Sequence, residues 1–373
     1  MDRYRISSDA AETLVEYRFD PDRFDLLRER LLGADAGPHR NWIQGRIVEP
    51  TASDVRPLAP LGSREREELA ERGIAALRRG EVAVVLLAGG MATRFGGGVK
   101  ALAEVLRGIT FLDAKAIDVA HVGRRYGASV PMVLMTSFQS HDALGAAVET
   151  YVDEGARISL APQSVALRLV RSGDLYRDGE GQVSLCAPGH GDLPEALQSS
   201  GTVATFAREG IRHVMVTNVD NAAATLEPAV IGAHLDGGLP MTCEVTGGDL
   251  KGGAPYRVDD HLQIVEEFRI PPHPELSPPR AVNTNSMIID LDVLAADYPL
   301  TWFAVDKMVG GDPVVQFERL VGELTAFVPA FMLLVERDGL DGRFQPVKDP
   351  AELAARQVEI RNILTARHIL GEG

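Results

Sequence analysis

Lysine is close to absent from this chain of 373 residues: Lys100, Lys115, Lys251, Lys307 and Lys348 stand against 33 arginines. A lysine here is therefore less a casual surface charge than a residue placed for a purpose. The formal net charge of −15 argues against broad nucleic-acid binding, which draws its affinity from clustered Lys and Arg on phosphates. A phosphorylated ligand has to be held by local cations instead. Only two cysteines occur, Cys186 and Cys243, far apart and without a Cys-x-x-Cys. They read as small apolar residues of a reducing compartment, with neither a disulfide nor a zinc site expected. No apolar run approaches the roughly 20 residues of a bilayer span, and the opening Met-Asp-Arg-Tyr-Arg-Ile lacks a signal-peptide core. A cytoplasmic protein with no membrane partner is expected. Gly-x-Gly-x-x-Gly and Gly-Lys-Ser/Thr are both missing, which disfavours an ordinary dinucleotide-binding turn and a P-loop.

What the chain does contain is concentrated first in residues 82–100, Val-Ala-Val-Val-Leu-Leu-Ala-Gly-Gly-Met-Ala-Thr-Arg-Phe-Gly-Gly-Gly-Val-Lys. Val82 to Ala88 have the length and β-branched content of a strand buried on both faces, as in parallel sheets. The loop after it then starts beyond the carboxyl end of a strand, where such sheets present ligands. Gly89, Gly90 and Gly96 to Gly98 permit close backbone approach with free amide N–H groups, while Arg94 and Lys100 add positive charge. That is the make-up of a phosphate cradle. From the loop alone, a glycine-rich connection serving only tight packing stays open.

Beyond Val82, strands and helices alternate, which predicts an α/β fold with a doubly wound, mostly parallel sheet. Strands are expected at 82–88, 131–136, 157–161 and 212–217, with helices near 110–125, 140–153, 192–208 and 227–235. Residues 1–80 read as a helical N-terminal lead-in: Phe24 to Leu32 have helical periodicity, and Ser63 is a plausible cap for a helix ending near Arg79. Residues 239–295 hold shorter strands between Gly- and Pro-rich turns, a mixed β excursion from the sheet. A helix near 313–323, a strand near 326–336 and a terminal helix from about Pro350 follow. The expected division is an extension (1–80), a catalytic α/β domain (81–345) carrying the 239–295 excursion, and a C-terminal helix (346–373).

Further constellations carry chemistry. Pro188-Gly-His-Gly-Asp192 leads into a helix whose N-terminal N–H groups favour an anion; a plain helix entry with a solvent-facing histidine is the alternative. Val214 to Asn221 form an apolar strand ending in Asp220 between two asparagines. A single strand-end carboxylate suits Mg²⁺, which takes one or two carboxylates together with phosphate oxygens and waters, although Asp220 also suits capping of the next helix. Glu244, Asp249-Leu-Lys-Gly-Gly253 and Val282-Asn-Thr-Asn285 place in the β excursion the carboxylates and amides that bind vicinal hydroxyls. Glu267, Asn283 and Asn285 suit turns equally well.

In order along residues 70–350, Leu-x-Gly-Gly-x-x-Thr-Arg-x-Gly with its later lysine, Pro162-Gln-Ser164, Pro-Gly-His-Gly-Asp, Asn-x-Asp-Asn, Lys-Gly-Gly, Asn-Thr-Asn and Phe344-Gln-Pro-Val-Lys348 resemble the UDP-glucose and UDP-N-acetylhexosamine pyrophosphorylases. The Asn-x-Asp-Asn pattern is nearer the UDP-glucose branch. The resemblance implies a Rossmann-like nucleotidyltransferase fold whose β excursion forms the sugar pocket. It also implies the reaction: a nucleoside triphosphate and a sugar 1-phosphate give a nucleotide sugar and pyrophosphate, with UTP and glucose 1-phosphate as the default pair. It assigns Ala88, Gly89, Gly90, Thr93, Gln163, Gly189 and His190 to nucleotide binding, and Arg94, Lys100 and Lys348 to neutralising the reacting phosphates. Asp220 falls to Mg²⁺ and, with Glu244, Lys251, Gly252, Asn283 and Lys307, to the sugar side. Ala92 in place of glycine and Val99 in place of proline depart from the pattern near the base and triphosphate. They motivate an alternative in which another nucleotide, such as GTP, is loaded onto a cyclitol or unusual sugar phosphate. A non-catalytic nucleotide-sugar sensor is a third reading. The large C-terminal β-helical domain of eukaryotic members has no room in this length, and the sequence leaves a homodimer open.

Overall fold

The computed structural model describes residues 4–32, 37–92, 95–248, 252–272 and 276–370. Its centre is an eight-stranded sheet made of β1 (Val55–Pro57), β2 (Val82–Leu87), β3 (Met132–Thr136), β4 (Ile158–Pro162), β5 (His213–Asn218), β6 (Met241–Gly247), β7 (Ala281–Asp290) and β8 (Ala330–Val335), in the spatial order β1-β8-β6-β7-β5-β2-β3-β4. Every neighbouring pair is parallel except the two made by β7. β2 shows why the sheet is wound on both sides. Val82, Val84 and Leu86 enter one core with the Phe111–Tyr126 helix, and Ala83, Val85 and Leu87 enter the other with Leu193, Leu197 and Phe206. Side chains alternate across a strand, so a run of six apolar residues feeds two cores at once.

On the first of these faces the Arg64–Arg78 and Pro228–Gly237 helices cross with their backbones in contact. A Cβ on Gly73 would collide with the Pro228 carbonyl, and one on Gly232 with that of Leu69. Ser63 caps the first helix by accepting from Arg66 N–H, as expected. Thr110 and Asp113 form a reciprocal capping box that starts the Phe111–Tyr126 helix.

Three segments differ from expectation. The helix expected over 192–208 is two, Leu193–Ser199 and Thr202–Glu209, separated at Gly201, whose φ of 75° no helix continues. The helix expected near 313–323 is a hairpin, Phe303–Val309 against Asp312–Glu318. Gly310 and Gly311, at φ 60° and 95°, supply the two-residue turn that twisted strands require, and Val314, Val315 and Phe317 favour the strand. The lead-in, besides its helices, contributes β1 to the sheet edge and Ile47–Val48 to a three-stranded sheet with Ala254–Val258 and His261–Val265. Pro57 is compatible with β1 because β1 is an edge strand. No described helix is long and apolar enough to cross a membrane.

Candidate active site

β2, β3, β4 and β5 all end at one side of the sheet, and the loops that follow them form one wall of a cleft. After Leu87 the backbone stays in register for one residue, Ala88 N–H donating to Met135 O at 2.9 Å. Gly89 then passes so close to Gln163 that a Cβ would strike its amide, while Ser137 Oγ donates to the Gly89 carbonyl at 2.8 Å. The loop doubles back through a Met91–Val99 bridge and an Ala92 N–H to Gly98 O bond of 2.8 Å. Gly96, Gly97 and Gly98 all have positive φ, at 88°, 108° and 81°, and face open space. Ala92 and Val99 are 3% and 8% exposed, so the two residues that depart from the family pattern pack inward rather than line the cleft. Thr93 and Arg94 lie outside the described residues.

Lys100 emerges at the end of this loop with its backbone N–H on Gly90 O at 3.1 Å. Its ammonium pairs with the Asp220 carboxylate, both side chains being partly open to solvent. Asp220 sits two residues beyond the end of β5, parallel to and in register with β2. The turn after it is clamped by cations that donate to its carbonyls, Lys115 and Arg343 buried and Arg367 partly so. Lys115 Nζ reaches Asn221 O at 2.7 Å and Ala224 O at 2.6 Å; Arg343 reaches Thr225 O and Arg367 reaches Ala223 O. Burial lowers the Lys115 pKa to about 8 even though Asp118 opposes the shift, and burial raises Asp118 to about 6. Asn221 completes the clamp: its amide donates to Arg343 O and accepts from Gln345 N–H. The 343–348 segment is thereby laid beside Asp220, with Lys348 exposed just beyond.

Beside the start of the glycine loop, Asp192 is fully buried and joins two loops. It accepts from Ser164 N–H at 2.6 Å and from Ser164 Oγ, and it pairs with Arg319, whose guanidinium lies 4.5 Å from the Trp302 ring centroid. Burial pushes its carboxyl above the usual range, against the pull of Arg319. Next to Ser164, Gln163 is buried with its Oε1 lacking any hydrogen-bond partner. Gly189, at φ 82°, lies where a Cβ would come within 2.6 Å of Arg319 O. His190 Nδ1 accepts from Val321 N–H at 3.0 Å, so in the neutral ring the proton is on Nε2. Burial lowers its pKa to about 4, which keeps the ring neutral.

On the sugar side, β7 carries a bulge. Cys243 pairs with Met287 and Val245 with Asn283, so three residues of β7 oppose Glu244 alone. Asn285 takes φ 60° there and donates from Nδ2 to Asn218 Oδ1 at 2.9 Å, while its N–H bonds Asn283 Oδ1. Such bulges re-aim side chains beside sites. Asn283 N–H donates to Gly253 O at 2.7 Å, bringing the Gly252-Gly253 turn against it. Lys307 pairs with Glu318 at 3.1 Å, and Glu318 packs against Gly189. Lys251 lies outside the described residues.

Glu244 requires a correction. It is 1% exposed, and Arg343 Nε and Nη2 bond its two oxygens at 2.6 and 2.7 Å; a carboxylate so engaged is not available to a sugar. Glu267 is exposed, whereas its neighbour Glu266 reaches to 2.5 Å from where a Gly253 Cβ would lie, with burial raising its pKa. Strand alternation carries the signal that was available: Glu266 shares a face with Ile264, which also packs on Gly253. The Asp192–Arg319 clasp had no such signal, because Arg319 is remote in sequence from both loops it serves.

A doubly wound sheet with a glycine loop, a strand-end Asp–Lys pair and a buried amide edge grouped at its carboxyl side has the arrangement in which open α/β sheets present their ligand crevices. The chain belongs to the UTP–glucose-1-phosphate uridylyltransferase family, whose profile matches residues 22–368. It is 29% identical to the UTP–glucose-1-phosphate uridylyltransferase of Hordeum vulgare over 302 residues, covering 76% of this chain and 63% of that protein. It is 27% identical to the enzyme of the same name from Pyrus pyrifolia, covering 95% of this chain and 77% of the relative. The UDP-glucose phosphorylase structure from Trypanosoma brucei shares the fold, with a TM-score of 0.71 at 21% identity, over 96% of this chain and 76% of that one. The chain thus spans just under two thirds of the barley protein's length.

Proposed function

We propose that this chain is a sugar-1-phosphate nucleotidyltransferase that joins UTP and glucose 1-phosphate to give UDP-glucose and pyrophosphate. The observation that carries the reading is the Lys100–Asp220 pair at the mouth of the glycine loop, with the unpartnered Gln163 Oε1 on the side chain that packs against Gly89 at the loop's start. The acceptor phosphate is already ionised near neutral pH. Its oxygen attacks the α-phosphorus, the bond to the β-phosphate oxygen breaks, and pyrophosphate leaves, so no general base is required. Catalysis then consists of positioning and charge neutralisation. Lys100 and, by family position, Arg94 face the triphosphate, the Nε2–H of His190 donates to the diphosphate side, and Lys348 steers the acceptor phosphate. Asn283, Asn285 and Glu266 offer amide and carboxyl groups to sugar hydroxyls, and the family pattern assigns Lys251 and Lys307 to the same side.

Magnesium fits Asp220: the carboxylate is an accessible hard-oxygen donor beside the phosphate cradle, held now by a lysine that a phosphate can engage instead. When bound, the ion supplies positive charge to phosphate oxygens.

Gln163 Oε1 is a buried acceptor, and a base with an imino N–H satisfies it; uracil and guanine carry that donor, whereas cytosine and adenine present a lone pair there. Pyrophosphate release measured with each of the four nucleoside triphosphates against a panel of sugar 1-phosphates tests this. UTP with glucose 1-phosphate is expected to be fastest, with GTP ahead of CTP and ATP. Release with no pair, together with measurable UDP-glucose binding, would replace the enzyme with a sensor.

A further inference from the structure

At the other end of the sheet, where β5 begins and β7 ends, three donor atoms converge that the substrate cleft does not use. His213 Nδ1 lies 2.6 Å from Asp290 Oδ1, His234 Nε2 lies 3.0 Å from the same oxygen, and the two ring nitrogens are 3.2 Å apart. Among the described residues this is the one cluster of three or more His, Cys, Asp or Glu ligand atoms with metal-like spacing. We propose that it is a binding site for a divalent transition-metal ion of the zinc class.

The spacing is the first argument. Ligands about 2.0–2.1 Å from a tetrahedral Zn²⁺ stand roughly 3.3 Å apart, close to the two longer edges of this triangle. The donor set is the second: two imidazoles and one carboxylate suit zinc rather than magnesium, which prefers all-oxygen shells. The third is support. His234 is 2% exposed, and its other nitrogen, Nδ1, is held by Thr242 Oγ1 at 2.9 Å, the partner that orients a ligating ring. Asp290 is a third exposed, which leaves one side open for water as the fourth ligand. The three residues come from β5, β7 and the Pro228–Gly237 helix, so no cysteine motif or local spacing announces them. About 17 Å of strand separates His213 from Asn218 and the substrate side, so this ion is not the one held by Asp220.

The test uses the full-length protein stripped with a chelator and titrated with Zn²⁺ in the presence of a chromophoric competitor and excess Mg²⁺. One equivalent is expected to bind. Asp290→Asn and His213→Gln each weaken it by more than the roughly 10–100-fold typical of losing an outer-shell partner, and Asp220→Asn leaves it in place. X-ray absorption of the zinc-loaded wild type needs no variant and is expected to show nitrogen and oxygen neighbours near 2.0–2.1 Å, imidazole scattering included. Absence of uptake by the wild type, zinc lost in Asp220→Asn, or unchanged binding in Asp290→Asn overturns the assignment.

Discussion

Two carboxylate–cation pairs lie within one fold and do opposite things. Glu244 and Arg343 are 2% and 0% exposed at their side chains, joined by two hydrogen bonds in the middle of the sheet. Asp220 and Lys100 are 18% and 16% exposed and stand at the mouth of the glycine loop. Asp220 lies just beyond one apolar strand and Glu244 in the middle of another. Accessibility separates their roles: the first pair is locked to its own partner, and the second can exchange its partner for a ligand. A buried ion pair gives little net stabilisation against an apolar substitute, yet is strongly destabilising when halved. A pair at a cleft mouth also gives little net stabilisation, but halving it costs little because solvent or a ligand takes the place of the lost partner.

Substitutions can break this contrast. Glu244→Ala leaves Arg343 charged, buried and already short of one partner at Nη1, and is expected to lower stability by about 3–5 kcal/mol in urea denaturation; a loss below about 1 kcal/mol would erase the distinction. Lys100→Ala should lower turnover by about 10²–10³-fold, the usual cost of one preorganised donor at a developing charge, with the thermal midpoint unchanged. A turnover near wild type would demote the pair to packing.

The smallest effect concerns the protonation of His190. Burial holds His190 at about 4, below its unfolded value near 6.5. The folded chain therefore binds fewer protons than the unfolded one between those limits. The stability owed to neutral His190 is complete above about pH 6.5 and falls away as the pH drops towards 4, by at most about 1.4 kcal/mol per unit. Its ring NMR signals should stay fixed from about pH 5.5 to 8, and a midpoint near 6.5 would place the ring in water.

Where a segment's own residues decide its structure, the sequence was readable. Val82 to Leu87, the capped helix from Ser63 and the glycines at 96–98 each carry their reason locally. Where a partner far along the chain decides, it was not. Residues 313–318 carry only a weak local strand preference in Val314, Val315 and Phe317; their pairing with Phe303–Val309 decides, and the preceding pair of glycines was the turn signal. Glu244 looked like a sugar ligand because nothing near position 244 reveals Arg343, a hundred residues away. Ala92 and Val99 looked decisive for nucleotide choice because a loop drawn as sequence has no inside; folded into a hairpin, it does. Lys115, the one lysine without a motif, braces the loop that carries Asp220.

The Asp192 clasp bears on motion. One carboxylate bonded to Ser164 and paired with Arg319 makes the Gln163 loop, the Gly189–Gly191 turn and the 318–321 segment a single stiff body. The tip of the glycine loop is packed differently, since a Cβ at Gly96, Gly97 or Gly98 would meet no atom within 4 Å. A ligand in this crevice would thus meet a cross-braced surface on the Asp192 side and a loosely packed loop tip at Gly96–Gly98.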